Sequence, residues 1–130
     1  MILIGMLDSP YVRRAAIAGT LLNLDFEHRS ISVFRHMDRF RTINPLIKAP
    51  TLVAGDGTVL MDSELIITHL EDMAGKSLRP ETGTARTHDL RTTGIALVTC
   101  EKAIQIEYER KRPEGFRYQP WLERVRAQLH

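Results

Sequence analysis

The strongest constraint on this chain is how its first 75 residues alternate between short apolar runs and longer runs flanked by helix signals. Residues 1–6 are apolar and end at Asp8-Ser9-Pro10. They read as a buried strand, which needs no polar alternation when both faces are covered. Ser9-Pro10 supplies a hydroxyl N-cap and a proline at the first helical position. Residues 12–22, rich in Ala, Ile and Leu and free of proline, continue as a helix to about Asn23. Residues 26–33 read as a second strand. Residues 35–43 are charged and read as an irregular helix that Asn44-Pro45 ends. Ala49-Pro50-Thr51-Leu52-Val53 is a strand opened by proline, Gly55-Asp56-Gly57 a turn, and residues 58–61 the returning strand of a hairpin. Asp62-Ser63 caps a helix over residues 64–73, with Leu65, Ile66, His69, Leu70 and Met73 as its inward stripe and Gly75 as its stop. The order β-α-β-α-β-β-α calls for a mixed four-stranded sheet with helices on its faces.

After Pro80 the pattern changes. Residues 81–86 are a polar linker, and residues 87–111 are helical and broadly apolar. Leu90, Leu97, Ile104 and Tyr108 lie on one side of that helix, and Ile95, Val98, Cys100 and Ala103 widen the stripe past half the circumference. Such a helix must be covered on more than one side. Pro113 breaks it, and residues 121–129 begin another, with Leu122, Val125 and Leu129 on one face. That face is expected to stay open to helices beyond the chain, so that the functional unit is longer or is completed by another chain.

Composition excludes several classes. The chain has 130 residues, 43% hydrophobic and 26% charged, close to soluble globular averages. Chains of this size bury roughly two-thirds of their unfolded surface, enough for a core without disulfides. No apolar run approaches the ~20 residues that span a bilayer, and no secretory signal is visible. A single cysteine, Cys100, suits a reducing compartment, so a cytoplasmic location and no membrane partner are expected. A net charge of +2, with its mild excess in Glu109-Arg110-Lys111-Arg112, argues against a nucleic-acid partner. The five histidines show no metal-ligand spacing, so no metal site is expected. Gly55-Asp56-Gly57 lacks the following glycine and helix of a nucleotide loop. His69 reads as a core histidine and Cys100 as buried and inert.

The element order, with Ser-Pro-Tyr-Val-Arg-Arg at the first helix start, resembles the thioredoxin-like domain of cytosolic glutathione transferases. Asn44-Pro45-Leu46-Ile47-Lys48-Ala49-Pro50-Thr51-Leu52 and Met61-Asp62-Ser63-Glu64 stand where that family has its asparagine-proline, cis-proline and acidic-serine motifs. The resemblance implies an α/β fold: a thioredoxin-like βαβαββα glutathione-binding domain over residues 1–80, a linker over 81–86, and the start of an all-helical second domain over 87–130.

It also implies roles for particular residues. Ser9 stands where glutaredoxin-like relatives carry an attacking cysteine. With Ser9 and Val12 at the two cysteine positions, dithiol chemistry is excluded, and a glutaredoxin-type reductase is disfavoured. The Ser9 hydroxyl can instead donate to a bound thiolate at the positive end of a helix. A free thiol has a pKa of about 8.5, so lowering it by a unit or two makes glutathione the activated, anionic nucleophile at neutral pH. The alternative is that Ser9 only caps the helix. By resemblance Pro50 is cis, turning the main chain of Ala49 toward the cysteinyl amide of glutathione; taken alone, it could be a trans proline at a strand start. Ser63 and the amides beyond it suit the γ-glutamyl carboxylate, with Asp62 on the ammonium group, although plain capping explains the pair equally. Lys48 meets the glycyl carboxylate or is a solvated lysine. Tyr11 ranks below Ser9 as a thiolate donor.

The function implied is conjugation of the glutathione thiolate to a small apolar electrophile, with glutathione as cosubstrate, no metal, and a homodimer formed through the broad helix and the one beginning at Ser63. Detoxification is the role that goes with it. The alternative is a non-enzymatic binding or assembly module of the same fold.

Overall fold

A computed structural model describes residues 1–129. The elements are β1 (Ile2–Ile4), α1 (Pro10–Leu21), β2 (Glu27–Arg29), α2 (Met37–Arg41), β3 (Thr51–Val53), β4 (Val59–Met61), α3 (Ser63–Ala74), α4 (Gly83–Lys111) and α5 (Gln119–Ala127). The chain divides into two compact units, Met1–Leu78 and Arg79–His130.

In the first unit the sheet order is β2-β1-β3-β4, with β1 parallel to β2 and β3 antiparallel to both β1 and β4. This is the thioredoxin-like β-α-β-α-β-β-α arrangement. Strand alternation sends successive side chains to opposite faces. Leu3 and Leu52 join Val12, Ala15, Leu22, Ile66 and Leu70 beneath α1 and α3, while Ile4 joins Ile31 and Phe40 on the other face.

Local sequence explains the boundaries. Ser9 is the N-cap of α1 and Pro10 its first residue. At the other end Asn23 adopts φ 56°, with Asn23 N–H donating to Thr20 O and Leu24 N–H to Gly19 O. These are the two bonds of a Schellman stop. Gly5 (φ 137°) joins β1 to the approach of α1, where a Cβ would stand 2.6 Å from Val12 Cγ2, so only glycine admits this contact. The second strand is shorter than the expected 26–33. Its three residues are all exposed at the sheet edge, and the chain then turns to bury Ile31. Arg29 and Glu27 pair on that edge at 2.6 Å, which holds the Glu27 carboxyl below its ordinary value and raises Arg29.

The inward face of α3 differs from its expected phase. Leu65 and Met73 are 63% and 53% exposed, and the buried stripe is Ser63, Ile66, Ile67 and Leu70. His69 is half-buried. The helix begins one residue earlier than expected, with Asp62 as N-cap and Ser63 as its first residue, and Ile67 completes the i, i+3, i+4, i+7 row.

In the second unit α4 starts at Gly83, earlier than the expected residue 87. In the single chain its broad apolar surface is mostly uncovered. Glu109 is its one buried residue; Leu90, Ile95, Val98 and Tyr108 are exposed, and Cys100 is half-buried where burial was expected. Of the expected open face on the last helix, Leu122 and Val125 of α5, which packs on α4, are buried, whereas Trp121 and Leu129 are exposed. The turn between the two helices is held by Glu109, which accepts from Tyr118 N–H at 2.8 Å and pairs with Arg112 Nε at 3.2 Å. Among the described residues no helix is long and apolar enough to cross a membrane.

Candidate functional site

Strand register gathers the predicted site residues at one end of the sheet. Arg29, Ile4, Thr51 and Met61 form a single row across all four strands. Three segments leave this row at the same edge: Gly5 and the loop leading to Ser9, Pro50 entering β3, and Asp62 entering α3. Because β1, β2 and β4 run in one direction, this edge is the carboxyl end of three strands, where open α/β sheets place their ligands.

Ser9 has the extended backbone of an N-cap, and its Oγ accepts from Val12 N–H at 3.4 Å. That is long for a hydrogen bond to oxygen. A hydroxyl used this way as an acceptor keeps its proton for donation. Capping and donation to an anion at the mouth of α1 are therefore compatible, and the two readings of Ser9 do not exclude each other.

The loop before β3 is built on Asn44, which is fully buried. Its amide nitrogen donates to Thr51 Oγ1 at 2.9 Å, and its Oδ1 accepts from Leu46 N–H at 3.0 Å. Thr51 Oγ1 in turn donates to Lys48 O at 2.6 Å. Burying these polar groups is tolerated because each finds a partner. Within this frame the Ala49-Pro50 bond is cis, and Ile47 holds φ 49°. A β-branched residue in the left-handed region is a true outlier. Ala49 lies close beside Gly5 at the end of β1, where a Cβ on Gly5 would stand 3.2 Å from Ala49 Cβ. The Lys48 side chain has no ion-pair partner among the described residues.

Asp62 is a second outlier, at φ 69° and ψ 130°, and its Oδ1 accepts from Glu64 N–H at 3.0 Å. Strain of this kind costs of the order of 1–3 kcal/mol per residue and concentrates at ligand clamps. Here it stands on both loops that flank β3 and β4. Ser63 is 2% exposed, and its Oγ accepts from Arg14 Nη1 at 3.0 Å. Arg14 Nη2 also pairs with Glu64 Oε2 at 2.9 Å. Sequence reasoning gave Arg14 no role. Its one signal was its place in the Ser-Pro-Tyr-Val-Arg-Arg run, and nothing in a single sequence says that α1 turns this side chain toward α3. Tyr11 stands in the first turn of α1.

Among the described residues no cluster of His, Cys, Asp and Glu could hold a metal ion. An open apolar groove of about 270 Å³ runs along α1, lined by Leu7, Arg13, Ala16, Ile17, Thr20 and Leu21. It contains none of the predicted site residues.

Comparison with known proteins matches residues 3–78 to the glutathione S-transferase N-terminal domain. A search of curated proteins gave no match. Among solved structures, the chain is similar to a glutathione S-transferase from Methylobacterium radiotolerans in complex with glutathione sulfonate, at 28% identity and a TM-score of 0.89. It is also similar to one from Methylobacillus flagellatus with glutathione bound (25%, 0.88) and to a glutathione transferase family member from Pseudomonas fluorescens with bound glutathione (25%, 0.82). Each alignment covers 98% of this chain but only 61%, 64% and 65% of the other. The chain thus spans less than two-thirds of the length of these structures. Since the N-terminal domain model covers more than half of the chain, the chain belongs to the glutathione S-transferase family.

Proposed function

We propose that this protein binds glutathione at the carboxyl edge of its sheet and transfers the glutathione thiolate to a small apolar electrophile. The observation that carries the reading is the shared strand row, which sends Ser9, Ala49-Pro50 and Asp62-Ser63 out of one edge. The three similar structures with glutathione or its sulfonate bound support it. In this reading the main chain of Ala49, ahead of Pro50, pairs with the cysteinyl amide, Ser63 and the first turn of α3 take the γ-glutamyl carboxylate, Asp62 takes the ammonium group, and Lys48 takes the glycyl carboxylate. Ser9 donates to the sulfur. The thiol proton leaves to solvent, the S–C bond forms at the electrophilic carbon, and the leaving group departs with its electron pair. The setting is cytoplasmic, the role detoxification, and the working form a homodimer associated through α3 and α4.

Ser9→Ala tests the assignment. Glutathione affinity should stay nearly intact, because the peptide is held elsewhere. Turnover with a model electrophile should fall by roughly ten- to a thousandfold, the range for losing one preorganised donor to an anion. The ultraviolet absorbance of bound thiolate should titrate at higher pH. An identical thiolate titration in wild type and Ser9→Ala would reject a catalytic Ser9. A protein that is not retained on immobilised glutathione would reject the whole reading in favour of an assembly module. Sedimentation at micromolar concentration checks the dimer: wild type should run at twice the chain mass, and Ile95→Glu on the exposed face of α4 should run as a monomer.

A further inference from the structure

We propose that His28 is a positioning residue for Ser9, acting through the main chain of Gly5; this rests on the function proposed above. Gly5 is buried, and its φ of 137° is a conformation that glycine adopts and side chains resist. A Cβ there would meet Val12 Cγ2 at 2.6 Å, so no stiffer residue can take the place. Glycine also has the most backbone freedom to lose, and its conformation must be fixed from outside. Strand β2 does this from both sides. Gly5 N–H donates to Arg29 O at 3.0 Å, and Gly5 O accepts from His28 Nε2 at 2.8 Å. The first bond extends the strand ladder. The second sets the rotation of the next peptide, which opens the path to Ser9. A carbonyl oxygen only accepts, so Nε2 carries the proton in this contact whether the ring is neutral or charged. Register explains the reach. His28 stands opposite Leu3, on the face of the sheet that Leu3 shares with Val12, and Gly5 follows two residues later on that face. Beyond Gly5 only Met6, Leu7 and Asp8 precede Ser9, and Ser9 N–H closes a turn on Met6 O at 3.1 Å. A rotation at Gly5 is thus passed to Ser9 with little slack. Ser9 needs that control, because its own cap bond to Val12 N–H is 3.4 Å long and donation to an anion is steep in distance and angle. His28 is itself exposed at the sheet edge, so its loss removes this bond without opening the core.

A competing view is that His28 merely ties β2 to β1. The thiolate absorbance of bound glutathione, titrated on the full chain, separates the two, because a structural tie alters stability and not the titration of folded protein. His28→Phe keeps a ring and removes the donor. Its bound thiol should titrate at higher pH, in the direction of Ser9→Ala. Its kcat with a model electrophile should fall by about ten- to a hundredfold, the cost of displacing a reacting group by the order of 1 Å. KM for glutathione should stay near wild type, since the peptide is held at β3 and α3. His28→Gln, whose amide can reach Gly5 O, should restore both titration and kcat. In a Ser9→Ala background His28→Phe should change neither further, because the two residues act as one unit. Should His28→Phe fail to fold, His28→Asn takes its place with the same results expected, its amide being too short for Gly5 O. A folded variant of either kind that keeps the wild-type titration and kcat overturns the proposal, even with lowered stability. So does His28→Gln that behaves as His28→Phe, and so do losses that add to those of Ser9→Ala. Wild type that binds glutathione without lowering its thiol titration overturns Ser9 as thiolate donor, and His28 with it. Wild type that binds no glutathione overturns the function proposed above and this inference together.

Discussion

The two units of this chain are stabilised in different ways. Met1–Leu78 covers both faces of its sheet, with α1 and α3 over one apolar cluster and Phe40 at the centre of the other. Arg79–His130 is a helical hairpin in which a 29-residue helix buries one side chain, the carboxylate of Glu109. Its closure depends on Leu122, Val125 and a polar pin at the turn. The contrast shows why the strained loops belong to the first unit. Outlying backbones such as Ile47 and Asp62 persist only where surrounding packing over-determines them. A close-packed two-faced core supplies that, and a single hairpin does not.

Core truncation is the harshest way to break this comparison. Phe40→Ala, at a fully buried site, should destabilise the chain by about 3–5 kcal/mol. Phe116→Ala, at a residue 74% exposed in the second unit, should stay within about 1 kcal/mol. Urea unfolding followed by circular dichroism reads both, and equal losses would erase the distinction. The loop network comes next. Asn44→Ala leaves the buried Thr51 hydroxyl without its donor and Leu46 N–H without its acceptor. It should cost about 1–3 kcal/mol and weaken retention on immobilised glutathione, because Lys48 and Ala49 lose their frame. Normal retention after Asn44→Ala would show that the strained loop stands without it.

Much of the first unit was legible because punctuation and period agreed. Ser9-Pro10, Asn44-Pro45, Gly55-Asp56-Gly57 and Gly75 marked its boundaries, and short apolar runs between them could be little other than strands. The mixed four-stranded sheet followed from the alternation of elements closing on a hairpin, while the order of its strands is a finding of the structure. What failed was side-chain phase. Leu65 and Met73 have the right character for a core stripe, but α3 turns the face of Ser63, Ile66, Ile67 and Leu70 to the core, which leaves both of them outside. Arg14 was not legible because its role lies in a contact across 49 residues, to Ser63. Nor was the exposure of α4, since composition announces an apolar helix without saying what covers it.

In the second unit the pin should matter less than any core residue of the first. Glu109→Gln keeps an acceptor for Tyr118 N–H but loses the ion pair with Arg112. A loss of about 1 kcal/mol is expected, read as earlier protease cleavage between α4 and α5. Cleavage no faster than in wild type would mean that Leu122 and Val125 close the hairpin without help.

The smallest effect returns to the first unit and depends on pH. Asp56 Oδ1 accepts from Thr58 N–H at 2.9 Å in the β3–β4 turn, and this bond holds its carboxyl below the ordinary carboxylate range. A group whose folded pKa is depressed binds protons more weakly when folded than when unfolded. Its contribution is therefore fully present above the unfolded value of about 3.9, and it is lost as pH falls through the lower folded value. Asp56→Asn should lower the thermal midpoint slightly at neutral pH, and the gap to wild type should close in acid. Glu27, paired with Arg29 on the sheet edge, predicts the same sign for Glu27→Gln. Both carboxylates are solvent-exposed and screened, so added salt should shrink the Glu27 gap while leaving the Asp56 gap nearly unchanged, because the latter is a short hydrogen bond to the main chain. A gap that widened toward acid at either position would reverse the sign and remove these carboxylates from the account of how the sheet's hairpin and edge are held.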